Sequence, residues 1–518
     1  MRKTLLTLGL IVLLCLSGCA VNPVTGKNEL ILMSQTAEIN AGTKQYLPSR
    51  QMQGGDYTTN PQVVAYVRQV GQRLAAVSDR SLPYEFNVIN DSTPNAWALP
   101  GGKIAINRGL LTQLNSEAEL AAVIGHEIVH AAARHSAKGM ERGMLLQGAV
   151  LAVGMASQNS EYSQLAVGTA GVASGLITQK YSRAAELEAD MYGMKYMAKA
   201  GYDPHAAIDL QQTFVRLAEN RDSNWLNGLF ASHPPSPERV TANRKTATTL
   251  PHGGKIGQEH YKQIIAGLLN DQDAYQAFDE GRKALDQGDT ALALALAQKA
   301  LKLQPREALF HSLRGDIRLK QYRYRDAITN YDRALQRNAN YFHYYLQRGL
   351  ARLKLGETTI AQNDFKRSVA LLPTAPALNA LGNLCLEQGE RSAAMNYFAS
   401  AASSKSEAGK AANRSLIRLD LADNPHKYLQ VRLGRDRDDY LLVQIANTTG
   451  QTISDITFVI EFIDTRGNTR RVQTLLGTSL APQQSTTVST GIGPFTSLKQ
   501  VRGQVTGARV IEQTGTAE

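Results

Sequence analysis

Residues 116–134 read SEAELAAVIGHEIVHAAAR, and this stretch decides the fold of the first half of the chain. Ser116 with Glu119 three residues on is a capping box, and the Ala, Leu, Ile and Val that follow are helix formers or apolar, so a buried helix is expected over Leu120 to Arg134. Within it lies His126-Glu127-Ile128-Val129-His130. His126 and His130 are i and i+4, about 40° apart around a helix axis, so both imidazoles can hold one metal ion from the same face. Glu127 sits within about 100° of both, beside such an ion rather than on it, where a carboxylate can act as a general base. The sequence has only ten His, and the pairing is correspondingly informative.

A third ligand is needed, and its type separates classes of metal site. Gly three residues and His six residues after the second His would mark a metzincin; Ala133 and Ser136 stand there instead, which excludes that class. His135 is five residues past His130, about 140° around an ideal helix, and is expected to pack or cap rather than coordinate. Downstream, Tyr181-Ser-Arg-Ala-Ala-Glu186-Leu-Glu-Ala-Asp190 places Glu186 and Asp190 at i and i+4. Glu186 can then complete the ligand set while Asp190 orients a ligating His through its second ring nitrogen. Two His and one Glu leave a fourth position open, as a catalytic zinc requires.

These motifs, with Asn95-Ala-Trp-Ala-Leu-Pro-Gly-Gly-Lys-Ile104 and Ser232-His-Pro-Pro-Ser-Pro-Glu-Arg239, resemble the gluzincin family of zinc metallopeptidases that contains the CAAX prenyl proteases, HtpX and BepA. Asn22-Pro-Val-Thr-Gly-Lys27 resembles the opening of its lipoprotein members. The resemblance covers about residues 20–250 and implies one Zn2+ per chain on His126, His130 and Glu186. It also implies Glu127 as general base and Asp190 as either a residue behind the ligands or a proton donor. The implied activity is that of a zinc endopeptidase acting on proteins or peptides.

Two further segments bear on the site. Pro100-Gly101-Gly102 opens a turn, and Gly102, Lys103, Ile104, Ala105 and Ile106 are expected as an edge strand on which an extended substrate pairs through its backbone. Two prolines hold the chain extended after His233, so the loop can bring its imidazole over the open position; the resemblance implies a fourth ligand or latch there, and the alternatives are an oxyanion stabiliser or a plain loop residue. Residues 143–178, rich in Ala, Gly, Leu and Val but broken by polar residues, are expected as a core or amphipathic helical hairpin rather than a membrane span.

The N-terminus carries an address. Met1-Arg2-Lys3 followed by apolar Leu5 to Leu16 has the length of a secretory leader. Leu16-Ser17-Gly18-Cys19 resembles a lipobox, with Cys19 as the lipidated first residue of the mature chain. Residues 1–18 are accordingly expected as signal peptide, and Ala20 after the Cys implies the outer membrane with the body in the periplasm. Cys385 is the only other thiol of the mature chain, so no internal disulfide can form and packing must stabilise an exported protein.

The chain's 518 residues suggest about three domains. A metallopeptidase domain of the α+β zincin type is expected over 19–265. From 270 to 422, Gly281, Gly315 and Gly349 recur at 34, and Ala293, Ala327 and Ala361 follow each by twelve, the period of a tetratricopeptide array with a capping helix. Residues 427–518 alternate Val, Ile and Thr with polar residues and are expected as an antiparallel β-sandwich. By the resemblance, the repeats recruit clients or outer-membrane assembly machinery; the sandwich departs from the BepA arrangement, which ends at its repeats. The 43% apolar and 19% charged content excludes a disordered or polytopic chain. The net charge of +11 is scattered, so nucleic acid is not an expected partner. The function expected is degradation or processing of misassembled envelope proteins; the alternative is a periplasmic chaperone or scaffold whose metal site is silent or latent.

Overall fold

The computed structural model describes residues 19–142, 180–219, 228–464 and 466–511. The expected leader over 1–18 and hairpin over 143–178 lie outside the described residues. The chain divides into two compact units, ending and starting at Pro373 and Thr374.

The first unit opens with strands β1 (Cys19–Val21) and β2 (Asn28–Leu30), paired antiparallel. The Asn-Pro-x-x-Gly between them is a turn built on Asn22, whose Oδ1 accepts from Val24 N and Thr25 N. Its Nδ2 donates to Ala133 O and so ties the hairpin to the metal-motif helix. Helices α1 (Gln35–Met52) and α2 (Pro61–Ala75) are capped by Ser34 and Asn60. They precede a three-stranded mixed sheet of β3 (Glu85–Ile89), β4 (Ala96–Leu99) and β5 (Lys103–Asn107), in the order β3-β5-β4.

The sheet order corrects the expectation for Gly102–Ile106. β5 is the central strand, parallel to β3 and antiparallel to β4, and all five of its residues are buried. Lys103 is buried with them, its ammonium donating to Pro83 O and paired with the Glu85 carboxylate. A substrate cannot add to a strand already paired on both sides; the outer strands are β3 and β4. The turn between β4 and β5 needs its glycines, since Gly101 (φ +75°) passes so near Ile39 that a Cβ would lie 2.7 Å from its Cα.

After α3 (Arg108–Leu111), helix α4 (Glu117–Ala132) carries the motif. Half of the capping box forms as expected, with Ser116 Oγ accepting from Glu119 N; the Glu119 carboxylate accepts instead from Asn115 N, one residue before the cap. Every residue of α4 is buried, its ionisable side chains included. Helices α5 (Arg183–Lys199), α6 (Ala206–Glu219), α7 (Leu229–Ser232), α8 (Pro237–Ala247) and α9 (Gln258–Asn270) surround it. The α4–α5 crossing is the closest. A Cβ on Gly193 would lie 3.0 Å from His126 N, and one on Gly125 3.1 Å from Gly193 O.

The repeats follow as α10 (Gln272–Asp286), α11 (Thr290–Leu303), α12 (Ala308–Lys320), α13 (Tyr324–Arg337), α14 (Phe342–Lys354) and α15 (Thr358–Leu371). The 34-residue spacing has a steric cause: Gly315 and Gly349 lie under the rings of Tyr331 and Phe365, where a Cβ would come within 2.6 and 2.8 Å. Glu307, 1% exposed, joins these repeats to the peptidase part. Its carboxylate accepts from Thr59 Oγ1, Asn90 Nδ2, Tyr275 OH and Leu309 N. Glu307→Ala strands those donors and is expected to cost about 3 kcal/mol, read as an earlier urea midpoint in unfolding of the full chain.

The second unit holds α16 (Ala375–Glu387), α17 (Arg391–Ala402), α18 (Glu407–Asp420) and six strands. β6 (Leu429–Arg435), β7 (Leu441–Asn447) and β10 (Ser485–Ser489) form one antiparallel sheet; β8 (Ile453–Ile463), β9 (Thr469–Leu475) and β11 (Arg502–Val510) form the other. Val443 and Ile445 from one sheet share a core with Phe458, Ile460 and Val505 from the other, which makes a sandwich. Among the described residues, no helix is long and apolar enough to cross a membrane.

Candidate metal centre

The Gly125–Gly193 crossing sets Glu186 and Asp190 of α5 over His126 and His130 of α4. His126 Nε2 lies 3.0 Å from His130 Nε2, and His130 Nε2 lies 3.3 Å from Glu186 Oε1. His233, which follows α7, adds Nδ1 at 3.2 Å from His126 Nε2 and 3.1 Å from Glu186 Oε1. All four residues are almost fully enclosed.

These spacings are those of ligands rather than of mutual hydrogen bonds. Four donors about 2.0–2.1 Å from a tetrahedral zinc are about 3.3 Å apart. Three imidazole nitrogens that converge on a carboxylate oxygen cannot all be donors and acceptors to one another, whereas all can present lone pairs to a cation. Burial lowers the His126 pKa, but the Glu186 and Asp190 carboxylates outweigh it and push it up to about 10. Burial dominates at His130 and lowers its pKa. Burial alone would raise Glu186, but His233 and His126 hold it well below the usual carboxylate range.

Glu127 stands beside this cluster. Its Oε1 is 3.5 Å from His233 Nε2, and its Oε2 has no hydrogen-bond partner among the described residues. Burial raises its pKa, which strengthens it as a proton acceptor. A largely apolar pocket opens against His126 and Glu127, walled by Val123, Met194, Leu210, Phe214 and Leu229.

Asp190 faces away from the ligand cluster. Its Oδ1 meets His126 Nδ1 at 2.9 Å, and Arg239 donates to both its oxygens at 2.7 Å. Burial would raise its pKa, but Arg239 outweighs it and keeps the carboxyl ionised. In this geometry Asp190 stands behind His126 and is paired with Arg239. Arg239 itself, buried on α8 with Nη1 2.9 Å from Glu186 Oε2, escaped the sequence reading as a functional residue, although it closes the quoted Ser232–Arg239 segment. Its place is set by that segment, where Ser236 caps α8 and Pro234 O accepts from Arg239 Nη1.

His135 was expected to pack or cap. It does not enter the ligand cluster; its Nδ1 lies 3.0 Å from His130 Nδ1 and its Nε2 lies 3.1 Å from Glu188 Oε1. The ideal-helix angle misplaces it because α4 ends at Ala132 and Arg134 turns left-handed (φ +64°), which returns His135 to the back of His130. Tyr181 also lay unassigned: its ring stacks on His130 at 3.8 Å, with its hydroxyl 2.8 Å from Ser136 Oγ.

Comparison with known proteins agrees with this site. The pattern of peptidase family M48 matches residues 61–247, and that of a tetratricopeptide repeat matches 278–342 and 346–409. The metalloprotease YcaL of Escherichia coli is 32% identical over 189 residues, which are 35% of this chain and 70% of that protein. The chain belongs to peptidase family M48. The β-barrel assembly-enhancing protease of Escherichia coli is 25% identical over 335 residues, 56% of this chain and 67% of that protein. The mitochondrial metalloendopeptidase OMA1 of Schizosaccharomyces pombe is 38% identical over 189 residues, 36% of this chain and 52% of that protein. The chain spans about half the length of the first curated relatives it matches (40, 52 and 44%). M48 enzymes depend on zinc, and the His126, His130, Glu186 and His233 donors fit that ion in type and spacing.

Proposed function

We propose that this protein is a zinc endopeptidase of the bacterial envelope, anchored through lipidated Cys19 at the periplasmic face of the outer membrane, and held latent by His233. The observation that carries the reading is the enclosed set of three imidazole nitrogens and a carboxylate oxygen with Glu127 alongside. When bound, zinc supplies a Lewis acid that polarises a scissile carbonyl and acidifies water. Glu127 takes the proton from the attacking water and passes it to the leaving amine. Asp190 and Arg239 hold His126 and Glu186 in place. An extended substrate pairs along β4, an outer strand, and the apolar pocket beside Glu127 takes a side chain next to the cleaved bond. The clients are misassembled envelope proteins, and the repeats recruit them or an assembly machine; the name of the relative that enhances β-barrel assembly supports this.

A second reading is favoured by one feature. His233 completes the tetrahedral set, so a scaffold whose metal site stays closed would look the same. Removing zinc with a chelator separates the two. In the enzyme reading, casein cleavage by the full chain falls by at least about 100-fold and returns with one equivalent of zinc; in the scaffold reading there is no cleavage to lose.

A further inference from the structure

We propose that His135 and Glu188 are positioning residues of the metal centre, forming a two-step hydrogen-bonded relay that fixes the tautomer and ring orientation of His130. The inference rests on the zinc reading of the site. The two ligating histidines of α4 are supported differently. His126 gives its second nitrogen directly to the Asp190 carboxylate, at 2.9 Å. Among the described residues His130 reaches no carboxylate through Nδ1; it meets another imidazole.

The proton bookkeeping of that contact has one solution. Two ring nitrogens 3.0 Å apart form a hydrogen bond only if one carries the proton and the other a lone pair. His130 Nε2 faces His126, Glu186 and His233 and must present its lone pair there, so its proton sits on Nδ1. His135 Nδ1 therefore accepts, and the His135 proton sits on Nε2, which donates to Glu188 Oε1 at 3.1 Å. In the reversed assignment, His130 would direct an N–H into the ligand cluster. The relay thus delivers the support of a carboxylate to His130 through an intervening imidazole.

The surroundings allow this arrangement and little else. His135 is buried, with a side chain 5% exposed, while the Glu188 side chain is 16% exposed and within 3.7 Å of Lys27 Nζ. Glu188 is two residues beyond Glu186 on α5, so one helix supplies both a ligand and the far end of the relay. A His135 that served only to fill space would not need a carboxylate at its outer nitrogen.

The test is the zinc affinity of the full chain, measured by competition with a chromogenic chelator and independent of any peptidase assay. Partners behind metal ligands typically contribute about 10- to 100-fold in affinity. Glu188→Gln, which preserves shape and removes charge, is expected to weaken zinc binding about tenfold, and His135→Leu by more. His135→Asn, whose amide oxygen can accept from His130 Nδ1–H, is expected to recover most of the loss. The d–d absorption of the Co2+ form should shift in Glu188→Gln. If Glu188→Gln binds zinc within about twofold of wild type, well below the range for such partners, the relay has no role and the proposal is overturned. If the wild type itself binds no zinc, the proposed function fails first.

Discussion

Glu127→Gln is expected to leave one zinc per chain in place and to lower casein cleavage by about 10²- to 10⁴-fold, the usual contribution of a positioned general base. Gln keeps the size of the side chain, and Glu127 is not among the four converging donors, so the ion should be retained. The substitution removes, among the described residues, the one buried carboxylate beside the cluster that neither ligates nor pairs with Arg239. Because its surroundings already disfavour a charge there, the variant should be at least as stable as the wild type. Zinc content, a thermal melt and cleavage, each measured with and without His233→Ala, separate the outcomes. Retained zinc with retained cleavage would move the general base elsewhere. Lost zinc would mean that Glu127 acts on the ion rather than beside it.

The sequence made the repeats and the ligand pair legible because each rests on a local geometric rule. A 34-residue period survives in the glycines and aromatics that meet at Gly315–Tyr331 and Gly349–Phe365. An i, i+4 pair on a continuous helix has one geometry, so His126 and His130 converge as their spacing requires. Helix ends and sheet order obey no such rule. An ideal helix extended past Ala132 puts His135 about 140° from His130, whereas the chain turns at Arg134. The turn at Pro100–Gly102 cannot say whether β5 is an edge, because strand order depends on where the distant β3 pairs, and β3 lies on its other side. Asp190 showed a similar limit: its spacing from Glu186 gave its face of the helix, but only Arg239, 49 positions later, decides what its carboxylate does.

The site therefore combines two kinds of support. His126, His130 and Glu186 come from two helices locked at a glycine crossing, with Asp190, Arg239, His135 and Glu188 behind them. His233 comes from the end of a four-residue helix, α7, whose Leu229 N donates to Pro94 O just before β4. A ligand mounted on so short an element, next to an outer strand of the sheet, is the one that can leave without dismantling the other three.

His233→Ala is accordingly expected to raise basal cleavage of casein by roughly 10- to 100-fold while zinc stays bound, more weakly, to three side chains. The upper figure follows if about 1% of wild-type molecules have the latch open, since removing the closed state cannot raise activity by more than the inverse of that fraction. In the latch reading His233 Nδ1, 3.2 Å from His126 Nε2, would take the corner that water or a carbonyl oxygen needs, and its Nε2 stands 3.5 Å from the Glu127 carboxylate. One side chain would then block both the ion and the base. An oxyanion-stabilising role predicts the opposite sign, a loss of about 10²- to 10³-fold on removal. Unchanged basal cleavage with zinc retained would exclude the latch, and a fall would reassign His233 to the chemical step.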